Sequence, residues 1–200
     1  MSKSLNNDVE AEVDLLVDFV NTHDLDEETD SIAEPDQLAA WVAEQTGELI
    51  ATPDEEDVAR VHALRESLRA LLRAHNGGEL DDERLAPLRE AAERSRYRTT
   101  FSAAGELEIT PARSDLTGFE ARLLLAIERL QSQGAWPRLK ACTDEGCQWA
   151  FYDATRNRSR TWCSMEECGN REKTRRYRER KGSVEAKPEA GDKLREKEVR

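Results

Sequence analysis

Long apolar runs are missing from this chain, and their absence sets the first limits on its role. The longest early stretch, Leu15 to Val20, is broken by Asp18, and only Lys3 supplies a positive side chain before it. A secretory leader needs a basic start and an apolar segment of about 7–15 residues, and a membrane helix needs about 20. The expectation is therefore a cytoplasmic protein with no membrane partner. Histidine is scarce: three residues, scattered, with none after His75. No Ser-His-Asp set, glycine-rich phosphate loop or HExxH pattern occurs, and paired carboxylates in so acidic a chain carry no information. No residue constellation supports catalysis, so the chain reads as a non-enzyme. Cysteine is almost absent too. Its four copies all fall in the last third, and a reducing compartment disfavours structural disulfides between them.

What remains is charge. Charged residues make up 36 % of the 200 positions and apolar ones 38 %, lean but sufficient for amphipathic helices around one core. The net charge of −12 would argue against a polyanionic partner if it were evenly spread. It is not. Residues 138–200 hold 17 Lys/Arg against 12 Asp/Glu, a balance of +5, whereas residues 1–137 hold 13 against 30, a balance of −17. Within Arg156 to Lys181 the count is 10 basic to 4 acidic. An acidic body carries a basic appendage, and the local field governs the binding of polyanions.

Along the chain, Val13, Leu16, Val17 and Val20 recur at helical spacing after a disordered N-terminus over 1–12. A second helix is expected over Asp36 to Glu44, capped by Asp36 and closed by Gly47. A third carries Val58, Val61, Leu64, Leu68, Leu71 and Leu72 on one stripe, with Thr52 as cap and Pro53 at its first position. A fourth runs over about Asp81 to Arg94 and contains Pro87. Arg98-Thr99-Thr100-Phe101 and Glu106-Leu107-Glu108-Ile109-Thr110 read as a β-hairpin. A fifth helix runs from about Asp115 to Ser132, and Gly134-Ala135-Trp136-Pro137 reads as a hinge whose Trp136 packs against the body, the competing reading being that it stacks on a base. The fold class expected is mainly α with a small β-hairpin: a helical N-terminal domain over 13–134, then a treble-clef-like zinc finger with four cysteine ligands over 138–181. A disordered tail is expected over 182–200.

The cysteines read Cys142-x4-Cys147-x15-Cys163-x4-Cys168. Two close pairs separated by a loop let four thiolates converge on one tetrahedral zinc ion. With no imidazole or open position the site is structural, and Gly146 is placed to give the first knuckle its positive φ. Buried or redox-active cysteines are the competing reading, but so short a segment has little core to bury them. Trp149 and Trp162 are expected to shield the metal. The helix expected from Cys168 to Lys181 has no apolar stripe apart from Tyr177. Asn170, Arg171, Lys173, Arg175, Arg176, Arg178, Arg180 and Lys181 lie on it, and Arg156, Arg158 and Arg160 precede it. These residue types suit phosphates and base edges, so DNA is the expected partner, with RNA as the variant. A zinc-stabilised adaptor binding an acidic protein surface is the alternative.

Cys163-Ser164-Met165-Glu166-Glu167-Cys168-Gly169-Asn170-Arg171-Glu172-Lys173 resembles the signature of the CGNR zinc-finger family, together with Trp162, Phe151-Tyr152 and the arginine-rich helix. The body resembles the helical domain called ABATE through Asp18-Phe19-Val20-Asn21-Thr22 and Leu64-Arg65-Glu66-Ser67-Leu68-Arg69. The resemblance spans about Val13 to Lys181. It implies a stress-responsive bacterial transcription regulator whose finger binds DNA and whose body senses an effector or dimerises. Asn21, Thr22, Arg65 and Arg69 are candidates for a small anionic effector. The competing reading is that Asn21 and Thr22 satisfy backbone groups while the arginines pair with Glu66 and its neighbours. Because one finger offers few base contacts, a homodimer is expected.

Overall fold

A computed structural model describes residues 7–185, so the expectations for 1–6 and 186–200 lie outside the described residues. The chain falls into two compact units, one ending at Cys163 and one beginning at Ser164.

In the first unit, α1 (Asn7–Asn21) starts before the apolar stripe expected of it. Residues 7–12, expected to be disordered, are helical because Val9 extends the buried face of Val13, Leu16 and Val20 by one turn. A two-residue antiparallel pair follows, β1 (His23–Asp24) with β2 (Thr29–Asp30), too short to leave a periodic signal. Helix α2 (Pro35–Thr46) begins with Pro35 in its first turn. Glu34, not Asp36, is the cap, closing a box with Gln37, and Gly47 ends the helix in the left-handed region at φ 73°. Helix α3 (Glu55–Ala74) is capped by Asp54, whose carboxylate accepts the Asp57 N–H, so the cap lies two residues past the expected Thr52. Asp81 and Asp115 cap α4 (Asp82–Arg94) and α5 (Leu116–Ser132) in the same way.

These helices bury one apolar cluster, with Leu16, Phe19, Leu38, Leu64, Leu68, Leu72, Leu123 and Leu130 essentially inaccessible. Phe19, Trp41 and Phe119 pack as a triangle with ring centroids 5.6–5.8 Å apart, which gives Trp41 the core role expected of it. The hairpin of β3 (Tyr97–Phe101) and β4 (Leu107–Pro111) pairs Phe101 with Leu107 and Thr99 with Ile109, and its apolar side chains stay largely in solvent.

At the expected hinge Trp136 packs on the body, as anticipated: it is 7 % exposed, sits in a short 3₁₀ turn and meets the His75 ring edge-on at 4.9 Å. Beyond it β5 (Leu139–Ala141) pairs with β6 (Ala150–Tyr152), and Leu139, Ala141 and Ala150 join the same apolar cluster as the helices. The first half of the cysteine region is thus part of the helical body's core.

The second unit holds a five-residue π turn, Met165–Gly169, closed by the Gly169 N–H on the Ser164 carbonyl, and then α6 (Asn170–Glu185). The helix therefore begins two residues later than expected and runs four residues past Lys181 into the region expected as tail.

Candidate metal centre and basic helix

The first cysteine knuckle is shaped by Asp144. Its carbonyl accepts the N–H groups of Cys147 (3.1 Å) and Gln148 (3.0 Å), and its carboxylate accepts the Gly146 N–H (3.1 Å). Cys142 N–H donates to the Trp149 carbonyl at 2.9 Å, closing the turn between β5 and β6. The positive φ expected at Gly146 occurs at Gln148 instead (49°), after the second cysteine, where the chain reverses into β6. The segment bringing Cys163 is registered through Thr143 N–H on the Thr161 carbonyl (3.1 Å). Cys168 rides on the π turn, whose Ser164 hydroxyl accepts the Glu167 N–H at 3.2 Å.

These turns bring all four thiol sulfurs within 4.8 Å of one another, and Cys147 and Cys163 approach to 3.5 Å. Tetrahedral zinc–thiolate bonds of about 2.3 Å require sulfurs roughly 3.8 Å apart, so the donor set fits one zinc ion. No disulfide links these cysteines. Hydrogen bonds from Cys147 and Cys163 pull the Cys142 thiol down to about 2, and its thiolate in turn pushes Cys147 up to about 12. Such crowding leaves the Cys142 thiolate easy and those of Cys147 and Cys163 hard to form. A divalent cation is the counter-charge that lets all four ionise. The Cys168 sulfur accepts an N–H from Arg171 Nη2 at 3.5 Å. Trp149 and Trp162 are both half-buried.

The basic residues divide into two groups. Arg160 is committed to the finger: its guanidinium donates to the carbonyls of Trp162 and Cys163 and lies 4.7 Å over the Phe151 ring. Asn170 Nδ2 donates to the Glu166 carbonyl (2.8 Å), bracing the turn that carries Cys168. Glu172 binds Arg175 (2.9 Å at Nε) and Arg176 (2.6 Å). Arg156, Arg158, Arg171, Lys173, Arg175, Arg176, Arg178, Arg180 and Lys181 all expose their side chains.

The loop preceding Cys163 is held by a pair that its sequence did not single out. Lys140, 4 % exposed, donates to Asp153 Oδ2 (2.8 Å) and to the carbonyls of Arg158 (2.7 Å) and Arg160 (3.0 Å). Asp153 is fully buried and also accepts from Thr155 and from the Arg160 N–H. Burial pushes its carboxyl up, but these donors outweigh that and hold it at about 2. Lys140 precedes Cys142 by two residues and lies opposite Phe151 across the strand pair, so only the strand register reveals its partner.

The four residues considered for an effector are engaged within the protein. Arg65 and Arg69 are each 2 % exposed. Arg65 forks onto Asp30 (2.9 and 2.6 Å) and reaches the Thr22 hydroxyl (3.0 Å). Arg69 holds Glu66 (3.0 Å) and the carbonyls of Val20 (2.7 Å), His23 (3.0 Å) and Gln148 (3.0 Å). Thr22 donates back to Phe19, and the Asn21 amide exchanges two hydrogen bonds with the main chain of Ala150 (3.0 and 2.7 Å). This is the arrangement of the competing reading, capping and pairing. An open cleft of about 600 Å³ lies beside Arg69, lined also by Arg73, Arg84, Glu66 and Gln148.

Two family matches accompany this geometry. Residues 14–139 match the ABATE family, described as "Putative stress-induced transcription regulator", and residues 138–181 match the CGNR zinc finger. No curated protein matches the chain. Among the described residues, no helix is long and apolar enough to cross a membrane.

Proposed function

The chain belongs to the ABATE family and ends in a CGNR zinc finger, and from that premise we propose that it is a zinc-dependent, DNA-binding transcription regulator. The observation that carries the reading is α6. Apart from half-buried Glu172, every side chain described from Asn170 to Lys181 is exposed, seven of them basic, and the helix starts two residues after the zinc ligand Cys168. Such a helix has no apolar face to bury, and it presents guanidinium and ammonium groups suited to phosphates and guanine edges. Zinc serves as a structural ion that fixes where the helix starts. Arg156 and Arg158 add flanking phosphate contacts. Signal reception falls to the helical body, where the cleft beside Arg69 and Gln148 offers a place for a small effector, and self-association would supply a second DNA half-site.

Phosphate contacts release counterions, so affinity for duplex DNA is expected to fall steeply with salt, by about 0.9 in log–log slope per contact. Retention of a mixed-sequence duplex by zinc-loaded protein, measured across a salt series with and without chelator, tests this. Salt-sensitive binding that chelator abolishes supports the proposal. Affinity that stays flat with salt defeats it, and capture of acidic protein without DNA retention points to the adaptor reading.

A further inference from the structure

The helical body reaches the zinc centre through side chains that end on the main chain next to the ligands. Asn76, just past the end of α3, donates both amide hydrogens: to the carbonyl of Ala141 (2.9 Å), which precedes Cys142, and to that of Thr161 (2.8 Å), two residues before Cys163. Arg69, further back on α3, donates to the carbonyl of Gln148, which follows Cys147 and has the left-handed backbone that turns the chain. Asn21, the last residue of α1, makes its paired hydrogen bonds to Ala150, two residues beyond Gln148. His75 Nδ1 meets the Leu139 carbonyl at 2.8 Å, fixing the start of β5. Leu139, Ala141 and Ala150 among these partners already belong to the body's core.

We infer that Asn21, Arg69 and Asn76 are positioning residues for the metal, setting the three turns that carry Cys142, Cys147 and Cys163. The body is then part of the outer coordination shell. These groups act on the metal as outer partners do elsewhere, by fixing where the ligand-bearing backbone lies before the ion arrives, and loss of such a partner commonly weakens metal binding by about 10–100-fold. The coupling is reciprocal, because an ion that holds the knuckles in place also holds the carbonyls to which α1 and α3 are bonded. Zinc occupancy and the protection of α3 form one linked equilibrium. The inference rests on the zinc centre and not on DNA binding, so the two can fail separately.

The test uses the full-length protein loaded with one zinc ion, titrated against a chromophoric chelator. Asn76→Ala and Asn21→Ala are each expected to weaken zinc binding by about tenfold or more. Asn76→Asp, which keeps the size of the side chain but cannot donate, is expected to behave like Asn76→Ala. Ser67→Ala is the control: it removes a part-buried hydrogen bond to the Arg84 carbonyl between α3 and α4 that ends on none of the cysteine-bearing segments, and it is expected to leave zinc affinity unchanged. Amide hydrogen exchange on the unaltered chain gives a second readout that needs no variant. Protection in α3 is expected to fall when zinc is withdrawn. Equal effects of Ser67→Ala and Asn76→Ala on zinc affinity overturn the inference. Unchanged α3 protection after chelation, or a purified chain that holds no zinc, does so as well.

Discussion

Arg69 illustrates how much one side chain carries when it is buried with every partner supplied. Its guanidinium satisfies Glu66 and three main-chain carbonyls from three different segments. Truncating it leaves those carbonyls unmet, while Glu66, which is exposed, keeps Arg65 and His23 as partners. Arg69→Ala is therefore expected to cost about 3–5 kcal/mol in urea unfolding, with Arg69→Lys recovering little because an ammonium cannot span the fork. His75 makes a different prediction. Burial lowers its affinity for a proton, Lys140 opposes the charge, and the hydrogen bond to Leu139 only partly offsets them, so it folds as neutral imidazole with the proton on Nδ1. A base whose folded pKa lies below its ordinary 6.5 contributes stability above that value and loses it as the pH falls below, because the unfolded chain then binds the extra proton. Thermal midpoints of the zinc-loaded protein are expected to decline from about pH 7 toward about pH 5, and His75→Gln is expected to flatten that decline. Identical slopes in the two proteins would refute the assignment.

At the scale of the element, α6 is held by its own ion pairs and by the turn before it. Glu172 occupies Arg175 and Arg176 on one side of the helix, and those guanidiniums in turn keep its carboxyl below the ordinary carboxylate range. If α6 meets DNA, this glutamate competes with phosphate for the same donors. Glu172→Gln is expected to tighten duplex binding several-fold and to steepen its salt dependence by about one contact; binding that is weaker or unchanged would count against the docking proposed for this helix. The hairpin of β3 and β4 differs in kind. Its alternation is readable from residues such as Thr99, Phe101 and Ile109, but alternation says nothing of what covers the apolar side, and Phe101 remains 71 % exposed.

For the molecule as a whole, the residues whose meaning is local are the legible ones. Four cysteines at short spacing, the apolar stripe of α3 and the glycine at the end of α2 each declare themselves within a few positions. What stays hidden depends on partners far away in sequence. Asn76 meets Thr161 across 85 residues, and Asn21 meets Ala150 across 129, so even where Asn21 reads as a side chain that satisfies backbone groups, neither partner is marked in its own neighbourhood. At Trp136 the packing against the body is legible from a tryptophan beside Gly134 and Pro137, whereas its ring partner His75 is not.

The shared bonding along β5 and β6 bears on whether such a finger can be moved to another protein. A cassette excised at Arg138 would bring its four thiolates along but leave behind the side chains that satisfy Ala141, Gln148, Ala150 and Thr161. Grafted onto a foreign host, it would arrive with an unfinished scaffold. A transplant that keeps the scaffold whole must carry α1 and α3 with the finger.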